Sequence, residues 1–215
     1  MPGRQDILKS ILFSRFSTEN PGKLPSMDIS LLYKYCCYQE VFSTYRSLGG
    51  IMNKMPTNFG KWDIVLDKFI VEFDEEQHFN RYRRLTLNSL IYSVTPHFDH
   101  LLYMKFCDIY EEECLAKASK GGYWGNRTSV KQFGKAEING VLSGNGSPRW
   151  KQRAFYDYLR DVYSVVTGIP VVRISIHDEL NIKGLTWTID EILNRRKTQL
   201  YPYIIRILER QLEIK

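Results

Sequence analysis

The sequence predicts an α/β fold in which a small mixed β-sheet is flanked by helices. Three observations predict it. Two short β-rich runs, residues 62–66 and 69–73, are separated by only Asp67-Lys68. A third apolar run, PVVRISI at 170–176, follows a stretch of helical periodicity. Apolar residues at helical spacing fill much of the remaining chain, so helices must cover the sheet.

The elements follow in order. After a Pro/Gly-containing start at 20–25, residues 28–48 place Leu31, Leu32, Tyr35, Tyr38, Phe42 and Tyr45 at helical spacing until Gly49-Gly50 stops them, which predicts one amphipathic helix. A loop with Pro56 and Gly60 leads into a tight hairpin over 62–73. Residues 85–107 suit helix, with a break near Pro96 and a continuation into the acidic run 111–113. Residues 121–148 hold seven glycines and read as a long surface excursion. Phe155, Leu159, Val162, Tyr163 and Val166 then predict a helix ending at Gly168, followed by the strand at 170–176. Two closing helices are expected from Ile189 onward, interrupted at Pro202.

Composition bounds the function. A chain of 215 residues with 43% hydrophobic and 25% charged residues can build one core, so a single domain spanning 1–215 is expected. The net charge of +6 permits a polyanionic partner. Its distribution is more telling, because residues 117–153 carry eight Lys or Arg against the single acid Glu137. Cys36, Cys37, Cys107 and Cys114 lack structural-zinc spacing and read as reduced thiols. The start lacks the apolar core of a signal peptide, and no run is apolar enough for a membrane span. A soluble, cytoplasmic protein without membrane partners is therefore expected.

The chemistry lies in the hairpin. With a two-residue turn at Asp67-Lys68, Val65 opposes Ile70, Ile64 opposes Val71 and Asp63 opposes Glu72. Alternation puts Ile70, Glu72 and Asp74 on one face and Phe69, Val71 and Phe73 on the other, the apolar side facing the core. Opposed side chains lie about 4.5–5.5 Å apart at Cβ, and like charges there are destabilising. A divalent cation with oxygen ligands, Mg²⁺ or Mn²⁺, would relieve Asp63 and Glu72, with Asp74 as a third ligand. Such an ion suits phosphodiester hydrolysis. The same acids also fit a solvated acidic face.

The run WDIVLDKFIVEFDEEQH resembles the metal site of the PD-(D/E)XK nuclease superfamily, and within it the very-short-patch-repair-like branch. Members place an Asp on one strand and E-x-D followed by Q-H on the next, as Asp63, Glu72, Asp74, Gln77 and His78 do here. They continue with D-x-x-R-D and a G-x-x-V-x-R strand, matched by Asp157, Arg160 and Asp161, then Gly168, Val171 or Val172, and Arg173. The resemblance implies a restriction-endonuclease-like core over about 28–78 and 154–215 with an insertion over about 79–153. Two departures stand out: Asp74 occupies the place of the usual Lys, and no Gly precedes Gln77-His78.

The resemblance also implies roles. Asp63 and Glu72 would bind metal, Asp74 would bind metal or orient water, and Gln77 and His78 would act on the water or the leaving oxygen. Imidazole titrates near neutrality, so His78 is the candidate general acid/base. Glu40 would add a helix-borne acid, and Asp157, Arg160 and Arg173 would support the site, although Asp157 and Arg160 also have the spacing of a local helix ion pair.

For DNA contact the candidates are Arg81, Arg83 and Arg84 in FNRYRR, and Lys120, Tyr123, Trp124, Arg127, Lys131 and Lys135 in KGGYWGNRTSVKQFGK. The second run joins phosphate contacts to stacking faces. The expected activity is a Mg²⁺-dependent DNA endonuclease, in restriction or mismatch-linked repair, acting on double-stranded DNA; a palindromic double-strand cut requires a homodimer or two sequential events. The rivals are a nuclease-like module that grips nucleic acid without cutting and a scaffold whose acidic hairpin meets a basic partner.

Overall fold

The computed structural model describes residues 2–16, 24–95, 98–119 and 121–212. In chain order the elements are α1 Arg4–Arg15, α2 Ile29–Lys34, α3 Tyr38–Ser47, β1 Ile64–Val65, β2 Ile70–Asp74, α4 Arg81–Thr86, α5 His100–Ile109, α6 Glu111–Ala118, α7 Arg127–Phe133, α8 Pro148–Thr167, β3 Val171–Ser175, β4 Glu179–Ile182, β5 Leu185–Thr188, α9 Ile189–Asn194 and α10 Tyr201–Gln211. Short 3-10 turns at Glu76–His78 and Leu90–Val94 fall between them. The α/β class with small sheets is as expected. The chain forms two compact units, one from Met1–Pro25, Lys61–Glu75 and Ile169–Lys215, the other from Ser26–Gly60 and Glu76–Gly168.

The first unit carries a mixed three-stranded sheet of order β1-β2-β3. β1 and β2 are antiparallel with Ile64 opposite Val71 and Val65 opposite Ile70, the register expected from a turn at Asp67-Lys68, and the Leu66 amide donates to the Phe69 carbonyl at 3.0 Å. β3 joins the other edge of β2 in parallel, pairing Ile70 with Val171 through Asp74 with Ser175. β2 is thus the middle strand, and all five of its residues are buried, so the Glu72 and Asp74 face is covered as fully as the apolar one. α1 packs on α9 and α10, and Arg4 ties it to Glu75 at 3.0 Å and to Asp190.

The same unit contains a hairpin that the periodicity argument passed over. β4 and β5 pair antiparallel with Ile182 opposite Leu185, and the turn residues Lys183 and Gly184 have φ of 53° and 78°. Two left-handed residues in succession make the primed turn that matches strand twist, and Gly184 takes one at no steric cost. Pro202 sits in the first turn of α10, where its missing N–H costs nothing, so it starts that helix and does not interrupt it.

The second unit is helical and built around α8. Its ends are strongly specified: the Ser147 side chain accepts the Trp150 amide at 3.1 Å, Pro148 opens the first turn, and Gly168 closes the helix at φ 73°. α3, α4 and α7 pack on it. Tyr45 of α3 is fully buried, its ring 5.3 Å from Phe133 and 5.1 Å from Phe155, and its hydroxyl donates to the Gln132 carbonyl at 2.7 Å while accepting the Met52 amide at 3.1 Å.

Three expectations change in this unit. The helix over 28–48 divides into α2 and α3, because Cys36 adopts φ 56°, with the Cys36 amide donating to the Tyr33 carbonyl and the Cys37 amide to that of Leu32. This is a Schellman stop, usually made by glycine, and a left-handed side-chain residue costs roughly 1–2 kcal/mol. The acidic run 111–113 forms the first turn of α6, where carboxylates meet the positive helix end. The stretch 121–148 is no mere excursion: it contains α7, buries Trp124 and Phe133, and is folded back by the Asn145 side chain, which donates to the carbonyls of Phe133 at 2.9 Å and Lys135 at 2.7 Å. Residues 20–23 of the Pro/Gly start, Pro96 and Lys120 lie outside the described residues.

Candidate functional site

In the first unit each of the two expected carboxylates accepts a backbone amide across the hairpin. The Asp63 amide donates to Glu72 Oε1 at 3.2 Å, and Asp63 Oδ2 accepts the Phe73 amide at 2.9 Å. Asp63 is half-buried and Glu72 only 2% exposed. Backbone N–H donors therefore supply part of the compensation that two neighbouring carboxylates need.

Asp74 has a different environment from the one expected. Arg173 stands opposite Glu72 in the parallel register, and its Nη1 donates to both Asp74 oxygens at 2.8 Å, the side chains being 0% and 1% exposed. A carboxylate so deeply buried needs a counter-charge, and Arg173 supplies it from the chain itself. Both Asp74 oxygens are thus engaged by a guanidinium, and its carboxylate is also among the groups that could hold a metal ion. Arg173, expected only to support, is its direct partner.

In the second unit the 3-10 turn Glu76–His78 presents Gln77 and His78 to one face of α8. His78 Nδ1 lies 2.8 Å from Asp157 Oδ2, and Asp157 is 1% exposed. With Nδ1–H donated to the carboxylate, the neutral ring carries its lone pair on Nε2. Arg160 approaches Asp157 at only 3.5 Å and donates more closely to the Phe59 carbonyl, at 3.0 Å, so the expected local ion pair is weaker than Asp157's contact with His78. Arg153, one turn before Asp157, donates through Nη1 to the Gln77 carbonyl at 3.3 Å and to the Gln77 side-chain oxygen. Burial pushes the Arg153 guanidinium pKa down, and the charge of Asp157 works against that. Sequence reasoning counted Arg153 only as part of a basic stretch; its signal was the i, i+4, i+7 spacing of Arg153, Asp157 and Arg160 on one helix face.

Other candidates are placed elsewhere. Glu40 Oε1 accepts from Ser89 Oγ at 2.6 Å and the Leu90 amide at 2.9 Å, so this acid anchors the 3-10 turn Leu90–Val94 and is corrected from site residue to structural cap. Arg83, 1% exposed, donates to Asp161 Oδ2 at 2.8 Å beside the Tyr92 hydroxyl and cannot touch DNA. Arg81 embraces Glu111 through three contacts of 2.6–3.1 Å, and Arg84 lies 2.6 Å from Asp108. The expected arginine clamp is thus committed to acids of α5, α6 and α8.

In the basic stretch the outcome is mixed. Trp124 is 1% exposed, set edge-on to Trp150 with its Nε1 donating to the Glu137 carbonyl at 3.0 Å; its assignment as a stacking face is corrected, because an indole is large enough to be recruited by any adjacent core. Tyr123 is 54% exposed, and Arg127, Lys131 and Lys135 are exposed.

The four cysteines are free thiols, and no helix among the described residues is long and apolar enough to cross a membrane. A family model described as "Family of unknown function (DUF7255)" matches residues 43–195, a span that includes both carboxylates of the hairpin, His78 and Asp157. No curated protein and no solved structure matches the chain.

Proposed function

From a chain that belongs to the DUF7255 family, we propose a metal-dependent nuclease that hydrolyses phosphodiester bonds in DNA. The observation that carries this reading is the contact of Asp63 with Glu72, whose carboxylate accepts the Asp63 amide just beyond the paired residues of the β1–β2 hairpin. Both side chains are carboxylates, the oxygen ligands that a hard divalent cation takes, and Glu72 is only 2% exposed. Asp63 and Glu72 would hold Mg²⁺ or Mn²⁺. When bound, such an ion lowers the pKa of a coordinated water and neutralises charge on a phosphate.

The chain's own groups supply the rest. By the resemblance His78 is the general acid/base, and within its own unit Asp157 orients its ring so that Nε2 can exchange the proton. Arg153 fixes Gln77 beside it. Arg127, Lys131, Lys135 and Tyr123 provide exposed contacts for phosphate and base, with double-stranded DNA as the substrate and a homodimer for palindromic cuts. The sheet carrying Asp63 and Glu72 would then be the centre of a restriction-endonuclease-like core, one domain of 1–215 with 79–153 inserted, working in restriction or repair. The proposed setting is the cytoplasm, a reading supported by four free thiols.

A second reading, a nucleic-acid-binding module that does not cut, is favoured by one observation: Arg173 occupies Asp74, and no Lys stands at that position. Supercoiled plasmid incubated with the protein in Mg²⁺, Mn²⁺ or EDTA separates the two. Nicking that requires the ion supports the nuclease; intact plasmid with retained, salt-sensitive DNA binding supports the module.

A further inference from the structure

We propose that Tyr33, Tyr38, Phe42 and Arg46 form a stacking platform for unpaired bases of a single-stranded nucleic acid. Tyr38, Phe42 and Arg46 recur every four residues on α3, while Val41, Thr44 and Tyr45 are buried on its other side. The Tyr38 and Phe42 rings are 5.9 Å apart and within 7° of parallel, and the Arg46 guanidinium lies 4.9 Å from the Phe42 centroid. Tyr33 of α2 continues the ladder, 4.3 Å from Tyr38 and tilted by 15°. What puts it there is the left-handed Cys36, which ends α2 and turns the chain back; a single straight helix would carry Tyr33 away from Tyr38.

Several buried pairs of this unit meet edge-on, Tyr45–Phe133, Trp124–Trp150 and Phe79–Phe106 at 63°, 64° and 87°, while Tyr92 and His100 stack at 17°. Edge contact is a common arrangement when rings pack on one another, whereas parallel planes leave a π-face for the next ring. The ladder is open at its Tyr33 end, where Tyr33 is 57% exposed, and Tyr38 and Phe42 are half-buried. Charge selects the occupant. Arg46, whose Nη1 also donates to the Gly50 carbonyl at 2.7 Å, closes the ladder at Phe42, and the exposed Lys34 follows Tyr33 in the chain, over the Tyr35 ring at 5.3 Å. The nearby acids are turned to structural contacts, Asp28 capping α2 through the Leu31 amide and Glu40 holding Ser89 and Leu90, and both keep their charge. Exposed π-faces between cations suit a strand that offers bases and phosphates together, and a duplex keeps its base faces stacked on one another.

The test is fluorescence anisotropy of labelled 20-mers of dT and of U, and of a 20-base-pair duplex, titrated with the full chain in EDTA. Both single strands are expected to bind more tightly than the duplex. Tyr33→Ala and Phe42→Leu are each expected to weaken them about tenfold, within the range known for base stacking on aromatic residues, with Tyr33→Trp restoring affinity and duplex binding unchanged. Equal affinity of wild type and both variants for the single strands overturns the proposal. So does loss of self-association in the variants, read by sedimentation, with strand binding intact, which would assign the ladder to a second copy of the chain. Since EDTA removes the ion, failure of the nuclease reading leaves this result interpretable.

Discussion

Replacing Arg173 by Met removes the counter-charge of Asp74. The pair is 0% and 1% exposed at the side chains, with 2.8 Å contacts to both carboxylate oxygens, so water cannot take the place of the guanidinium without opening the sheet between β2 and β3. Breaking a buried pair from one side typically costs about 3–5 kcal/mol, most of it the penalty of the stranded charge. Asp74→Asn alone strands only a cation beside a neutral acceptor, and the double variant strands neither, so a double-mutant cycle should give a coupling of at least about 1 kcal/mol. The assay is urea unfolding followed by tryptophan fluorescence, where a slope near ~2–3 kcal/mol/M turns the single-variant loss into a midpoint shift of roughly 1–2 M. Loss below about 1 kcal/mol for Arg173→Met, or additive single effects, would refute the claim that Arg173 neutralises Asp74.

Other predictions follow from particular contacts. Asp157→Asn is expected to lower single-turnover DNA cleavage by about 10²–10⁴-fold, as His78→Ala should, because an imidazole without its orienting carboxylate loses general acid–base function; unchanged rates in both would remove His78 from the chemistry. At Gly50 an added Cβ would meet the Tyr45 ring at 2.3–2.5 Å, so Gly50→Ala should cost about 1–3 kcal/mol of overpacking, read as a lowered Tm. Burial raises the Glu111 pKa, but hydrogen bonds and charge from Arg81 outweigh it and leave the carboxyl below its ordinary 4.5. A depressed folded pKa gives stability that is full above 4.5 and lost as pH falls through the lowered value. Glu111→Gln should therefore lower stability at pH 7 by no more than about 1 kcal/mol, given the half-exposed arginine, and the gap should close in acid.

What the sequence revealed depended on how local the determining physics was. The hairpin register was legible because a two-residue turn and strand alternation leave one arrangement, and Ile64 meets Val71 and Val65 meets Ile70 accordingly, with the Asp63 amide on the Glu72 carboxylate just beyond. The ends of α8 were partly legible, Gly168 as a stop but not Ser147 as a start. Cys36 was not, since nothing in a cysteine announces a left-handed backbone. Lys183-Gly184 was readable in principle, and was overlooked because the flanking strands are short and half-exposed. At the site, charge identity was visible but pairing was not. Arg83 and Trp124 read as surface groups because their partners, Asp161 and Trp150, lie far along the chain. Arg173 read as a strand residue because only the parallel alignment of β3 with β2 brings it to Asp74.

The measurement that tests the central claim most directly is plasmid nicking in Mg²⁺ by wild type, Asp63→Asn and Glu72→Gln, at equal folded fractions by circular dichroism. The account predicts ion-dependent nicking by wild type and loss of at least about a hundredfold in each variant, as for removal of a group that stabilises transition-state charge. Nicking that persists in EDTA, or that survives both substitutions, would contradict it.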